Sequence, residues 1–246
     1  QRSLVGSEMC IRDSFEGIQF LVENPYWEGA KISLYSAGEE SIASMPNIKV
    51  GKFITQVILQ NIEVEDIDLS NATDLRSAWV QNNPALQKLD LSYSTIWGQG
   101  DKETEGNGTY GSSLMVLGCP ILKEIKLPEK NELKAYRIDI ECLDALETFD
   151  MSNVKMVAEL SIGDLNKDFN LVYPELTIFY SEDGYAGTYF ACSENTFYRE
   201  STQAFLKANY TDIDPDDTVR RLGYTSSLSY DKNKGCRWRT LLNKQK

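Results

Sequence analysis

Chemistry in this chain has to come from carboxylates, amides, indoles and a few thiols, because none of its 246 residues is histidine. That absence removes imidazole as base, acid or zinc ligand, and with it the Ser-His-Asp and Cys-His nucleophile systems. The 25 Lys+Arg stand against 37 Asp+Glu, a formal charge of −12. Binding to a phosphate backbone rests on Lys and Arg displacing counterions, so nucleic acid is not an expected partner.

One dense acidic run is Asp212-Ile213-Asp214-Pro215-Asp216-Asp217. Oxygen ligands at alternate positions suggest a calcium loop, with Asp212, Asp214 and Asp216 as its carboxylates, but Asp217 stands where the sharp-turn Gly belongs and Gly223 where the closing Glu belongs. The same residues also start a helix, with Asp214 as cap, Pro215 as first helical residue and two carboxylates at the positive end of the dipole; capping is the favoured reading. Cys119, Cys142, Cys192 and Cys236 form no CxxC pair, so neither a metal set nor a redox compartment follows. No metal, cofactor or catalytic residue is expected.

A more orderly set of charges is Asp68, Asp90, Lys126 and Asp150, which share one place in a recurring phrase. Asp68-Leu69-Ser70 returns 22 residues on as Asp90-Leu91-Ser92. Written as apolar-x-x-apolar-x-apolar, the phrase is Val64, Ile67, Leu69; Leu86, Leu89, Leu91; Leu122, Ile125, Leu127; and Leu146, Phe149, Met151. A weaker copy follows each of three strong ones, at Leu75, Ala78, Val80, at Leu133, Tyr136, Ile138 and at Val157, Leu160, Ile162, and Ile54, Val57, Leu59 fits the same template ahead of Val64. Apolar residues at i and i+2 put both side chains on one face of a short strand and aim the residue between them the other way.

Two outward columns follow. One holds Asp68, Asp90, Lys126 and Asp150, and such a ladder would receive a basic partner or a cation, or simply give a solvated sheet its polar exterior. The other holds Ile58, Trp79, Arg137 and Ser161, where Trp79 is either an interface anchor or packed beneath a loop. Cys119 and Cys142 fall just before equivalent positions of neighbouring copies, where a bridge is sterically open and buried thiols are the plainer expectation.

A unit of about 22 residues cannot bury its apolar edge alone, so neighbouring units must stack, the logic of a solenoid. The phrases Pro84-Ala85-Leu86-Gln87-Lys88-Leu89-Asp90-Leu91-Ser92 and Leu146-Glu147-Thr148-Phe149-Asp150-Met151-Ser152 resemble the leucine-rich repeat proteins, closest to the short repeats of bacterial surface proteins of adhesin type. The resemblance implies protein or cell-surface binding, outside the cell, without catalysis.

The domain organisation follows from where the repeat begins and ends. Residues 3–14 resemble translated sequencing adapter and are set aside with 1–2 as a non-native segment. Residues 15–53 read as a cap or incomplete coil, and 54–162 as a β-rich solenoid of parallel strands in about four to five coils. A polar insertion at 98–113 has five Gly and only Tyr110 as a sizeable apolar group; it should leave the stack as a mobile loop that contributes little stability and contacts the partner. Residues 163–230, where a hairpin is expected at Asp183-Gly184 and helices after Ser193 and at Pro215–Leu222, form an aromatic-rich α+β flank. Residues 231–246 hold six Lys+Arg and one Asp and read as a solvated basic tail. No apolar run approaches the ~18 residues of a spanning helix.

The expected function is recognition of a protein or glycan through a solenoid face and the inserted loop, with Asp68, Asp90, Lys126, Asp150, Trp79, Arg137 and Tyr110 as partner-binding candidates. The alternatives are a parallel β-helix enzyme acting on polysaccharide, which needs Arg, Lys and Asp converging on one groove, and a structural spacer in a larger surface protein.

Overall fold

A computed structural model describes residues 30–36, 42–99, 111–166, 168–177, 181–182, 185–186, 188–209 and 237–242. Its centre is an eight-stranded sheet built from β1 (Ala30–Tyr35), β2 (Ile54–Gln60), β3 (Ser77–Gln81), β4 (Ser113–Leu117), β5 (Leu133–Leu143), β6 (Val154–Leu165), β7 (Thr188–Ser193) and β8 (Arg237–Leu242). The strands lie side by side in chain order, and all neighbours are parallel except β7 and β8, which are antiparallel. The fold is β-rich and mostly parallel, with few helices among the described residues.

Parallel neighbours require the chain to travel back between strands, and it does so through shorter parallel pairs. Ile48–Lys49 pairs with Ile67–Asp68, Lys88–Asp90 with Glu124–Lys126, and Thr148–Asp150 with Asn170–Val172. Between the long sheet and these short strands lies one apolar cluster. From the long sheet it takes Val57, Ala78, Leu114, Ile138 and Leu160, which are register neighbours across five strands, and from the short strands Ile67, Leu89, Ile125 and Phe149. Leu69, Leu91, Leu127 and Met151 are buried in the same cluster.

The register corrects one expectation. Ile138 and Ile140, not Tyr136 and Ile138, are the inward pair of β5, opposite Leu114 and Val116 on one side and Leu160 and Ile162 on the other. Ala135 is the inward residue three places ahead of Ile138, as Val157 is ahead of Leu160. The apolar Leu133 and Tyr136 disguise this frame by fitting the template two residues early. The β4 copy, Leu114 and Val116, is hidden behind the insertion.

Each long strand from β2 to β5 carries a backbone corner of the same kind, just after the strand in β2 to β4 and one residue before its end in β5. Asn61, Asn82, Gly118 and Cys142 all have positive φ, between 53° and 63°. The N–H groups of Asn61, Asn82 and Gly118 donate to Gln81, Leu117 and Glu141 of the next strand. The left-handed region is open to Gly and tolerated by Asn, which explains three of the four residues.

Downstream, Ser181–Glu182 and Tyr185–Ala186 form the antiparallel pair expected around Asp183-Gly184. Helices α1 (Glu194–Phe197) and α2 (Glu200–Asn209) follow Ser193. Phe205 of α2 stacks on Tyr173 at 4.5 Å and tilts against Phe190 at 5.6 Å. Arg199, between the helices, donates to the carbonyls of Phe169, Leu165 and Asn166 and so ties them to the preceding turn. The helix expected at 215–222, the three aspartates considered for calcium, the segment 1–29 and most of the basic tail lie outside the described residues.

Candidate functional site

The charged column on the short strands has structural work to do. Asp68 Oδ1 accepts the N–H of Ser70 at 2.9 Å, Asp90 that of Ser92 at 3.0 Å and Asp150 that of Ser152 at 2.8 Å. This aspartate-capped turn explains why the phrase reads Asp-apolar-Ser three times, since the side chain satisfies an N–H that the bend takes out of the ladder. Hydrogen bonds from the Ser70 hydroxyl and N–H hold the Asp68 carboxyl below its ordinary value. Burial opposes ionisation at Asp90, but the Ser92 hydroxyl and N–H together with Lys88 outweigh it, so that carboxyl is also lowered.

In register, Lys49 lies beside Asp68, Lys126 beside Asp90 and Val172 beside Asp150. Lys88 bridges Asp90 at 3.1 Å and Glu124 at 3.4 Å, and Lys126 meets Glu124 at 3.2 Å. This half-exposed lattice answers its own charges and contributes little net energy per pair.

The outer face of the long sheet differs. Trp79 sits between Ile58 of β2 and Met115 of β4 in register, and all three are half-buried. Along β2 the outward neighbours of Ile58 are Gln56 and Gln60, and along β3 those of Trp79 are Ser77 and Gln81. Trp79 Nε1 donates to Gln81 Oε1 at 3.2 Å and Gln56 Nε2 to Ser77 Oγ at 3.4 Å. The indole therefore lies along its own strand, with its one polar atom satisfied. No charged residue occupies the outward positions of β2, β3 or β4, although charged residues make up 25% of the chain.

Beyond β4 the outer face changes character. Arg137 is not in the Trp79 column: it pairs in register with Ser113 and Glu159, and Asp139 takes the place between Met115 and Ser161. The physical reason is the two-residue frame shift on β5, which moves every outward residue one place along the strand. Arg137 Nη2 reaches Asp139 Oδ2 at 2.9 Å and Arg137 Nη1 reaches Glu159 Oε2 at 3.6 Å. Ser161 Oγ donates to Glu141 Oε1 at 3.1 Å. Asp139 and Glu141 are buried on this face and were missed in the sequence; counting 22 residues back from Leu160 and Ile162 would have framed them.

Tyr110 lies outside the described residues, as does most of the insertion, so neither its mobility nor its contacts are described. Its two ends meet: Gly98 N donates to Ser112 Oγ at 2.6 Å, and Lys134 N donates to Gly98 O at 2.8 Å. Gly98 has φ 78°, and a Cβ there would stand 2.5 Å from Leu133 Cδ2, so glycine is required at this exit. Cys119 and Cys142 are thiols and not a bridged pair. No group of three or more His, Cys, Asp or Glu suited to a metal ion occurs among the described residues. No helix among them is long and apolar enough to cross a membrane.

The chain matches no family model, no curated protein and no solved structure.

Proposed function

We propose that this chain is a non-catalytic recognition module, a β-rich solenoid of leucine-rich-repeat type with about four to five coils, that binds a protein or glycan at the cell surface. The observation that carries the reading is the uncharged outward row Ile58, Trp79 and Met115, half-buried side by side on rigid strands. Three apolar residues facing outward on adjacent strands, in a chain of net charge −12, are a recognition feature and not what solubility alone would select. The charged column on the short strands is better read as turn capping on a solvated surface, because its three aspartates accept the N–H groups of Ser70, Ser92 and Ser152, Lys88 answers Asp90 and Glu124 answers Lys126.

A double variant, Ile58→Glu with Met115→Glu, tests this. Both side chains are half-exposed, so a folded protein with an unchanged melting temperature is expected. Adhesion of the purified chain to intact cells, read by flow cytometry, should fall to background in this variant. Undiminished adhesion would remove this face from recognition.

The polysaccharide-active enzyme stays as a second reading because Arg137, Asp139, Glu141 and Glu159 gather on the same face beside Met115. Release of reducing ends from a polysaccharide, abolished by Glu159→Gln, would establish it in place of the first.

A further inference from the structure

Resting on the reading of this face as a recognition surface, we infer that its ligand is a neutral oligosaccharide chain laid across β1 to β3, with Trp79 as stacking platform and side-chain amides as its hydrogen-bonding rim. The chemistry of the patch selects this class. A sugar ring offers an apolar C–H face and a rim of hydroxyls that both donate and accept. The indole of Trp79 supplies a flat apolar face, held along β3 by its bond to Gln81 Oε1 at 3.2 Å. Gln56, Gln60 and Gln81 supply primary amides, which carry donors and acceptors at once and so suit hydroxyls in either role.

Charge narrows the choice. The outward positions of β2 and β3 hold no Lys or Arg to attract a polyanion and no Asp or Glu to attract a basic peptide; β1 adds one outward charge, Lys31, exposed beside Gln56. A protein partner would use a tryptophan as a protruding anchor that fills a pocket, whereas this indole lies along the strand, half-buried. The same face holds a second ring, in the neighbouring row. Tyr35 of β1 is 56% exposed and stands opposite Gln60, which stands opposite Gln81. Two strand spacings across and one outward step along place Tyr35 ~12 Å from Trp79 at the backbone, a separation that suits a chain of sugars over a single ring.

The test is equilibrium binding of the full chain to immobilised neutral polysaccharides (a β-1,4-glucan, an α-mannan and a β-1,4-galactan), with polygalacturonate as the acidic control. Binding to at least one neutral polymer is expected. Trp79→Ala should lower the affinity about tenfold or more, Gln81→Ala and Tyr35→Ala less, while Trp79→Phe keeps part of it and Asp150→Asn on the other face keeps all. Circular dichroism and the melting temperature confirm that each variant is folded. Failure to bind any neutral polymer, or stronger binding to polygalacturonate, would overturn the inference; loss of cell adhesion in the Ile58→Glu, Met115→Glu variant would in that case still support the recognition face itself. Neutral-polymer binding that Trp79→Ala leaves unchanged overturns the inference as well.

Discussion

Asn82 Nδ2 donates to Asn61 Oδ1 at 2.6 Å, and both residues hold left-handed backbone, φ 55° and 56°, at successive corners of the long sheet. The two amides thus join neighbouring passages of chain where the backbone is least tolerant of substitution. Asn83, the next residue, is buried, and its side chain both accepts from Leu86 N at 3.0 Å and donates to Val64 O at 3.1 Å. The corner beside the Trp79 row is therefore fixed by side-chain amide hydrogen bonds between neighbouring passages, which helps keep Ile58 and Trp79 in register.

Asn82→Ala should destabilise the protein by about 1–2 kcal/mol for the left-handed backbone, plus the lost hydrogen bond to Asn61 at about 1 kcal/mol. Asn82→Gly, which restores the backbone freedom, should cost clearly less. Chemical denaturation of the two variants checks the order, and an alanine variant as stable as the glycine one would contradict it.

Leu91→Ala removes a side chain that is 1% exposed in the shared core and should cost about 2–5 kcal/mol. The denaturant midpoint reads this directly; an unchanged midpoint would mean that the short strands do not share the core of the long sheet.

Acid should weaken the fold through the capped turns. Asp68 and Asp90 have carboxyls held below their ordinary value in the folded chain, so their contribution is full above the unfolded value near ~3.9 and is lost as pH falls through the lower folded values. Stability should drop below about pH 4, and Asp68→Asn with Asp90→Asn should flatten that drop. A double variant with the same acid slope as the parent would show that these turns do not govern it.

Burial pushes the Cys119 thiol up to about 12, and Cys192 is raised by burial as well. At neutral pH both are therefore protonated and enclosed, and poor nucleophiles. Iodoacetamide on the native protein, followed by peptide mass spectrometry, should leave Cys119 and Cys192 unmodified while the half-buried Cys142 reacts. Rapid labelling of Cys119 would contradict the packing at that corner.

The sequence made the short-strand side of the molecule legible. Leu89, Ile125 and Phe149 are inward where the repeated phrase puts them, because i, i+2 alternation next to an aspartate-capped turn is a strong local signal. The long-sheet side was readable only in part. Trp79 was placed between Ile58 and its other neighbours by the same alternation, but Met115 was missed because the polar insertion separates it from its copies. Asp139 and Glu141 were missed because Ala135 is too small to mark an inward position and Tyr136 is apolar enough to imitate one. The reason Asp68, Asp90 and Asp150 are acidic was hidden as well, since a side chain accepting its own turn's N–H looks, in sequence, the same as a charge offered to a partner.

Side-by-side affinities of Trp79→Ala on the long-sheet face, and of Lys126→Ala with Asp150→Asn on the short-strand face, test the central claim most directly, measured against the same cell surface with matched melting temperatures. The account predicts a loss of about tenfold or more for the first and none for the second. Full binding by Trp79→Ala, with loss in the Lys126→Ala, Asp150→Asn variant, would contradict it.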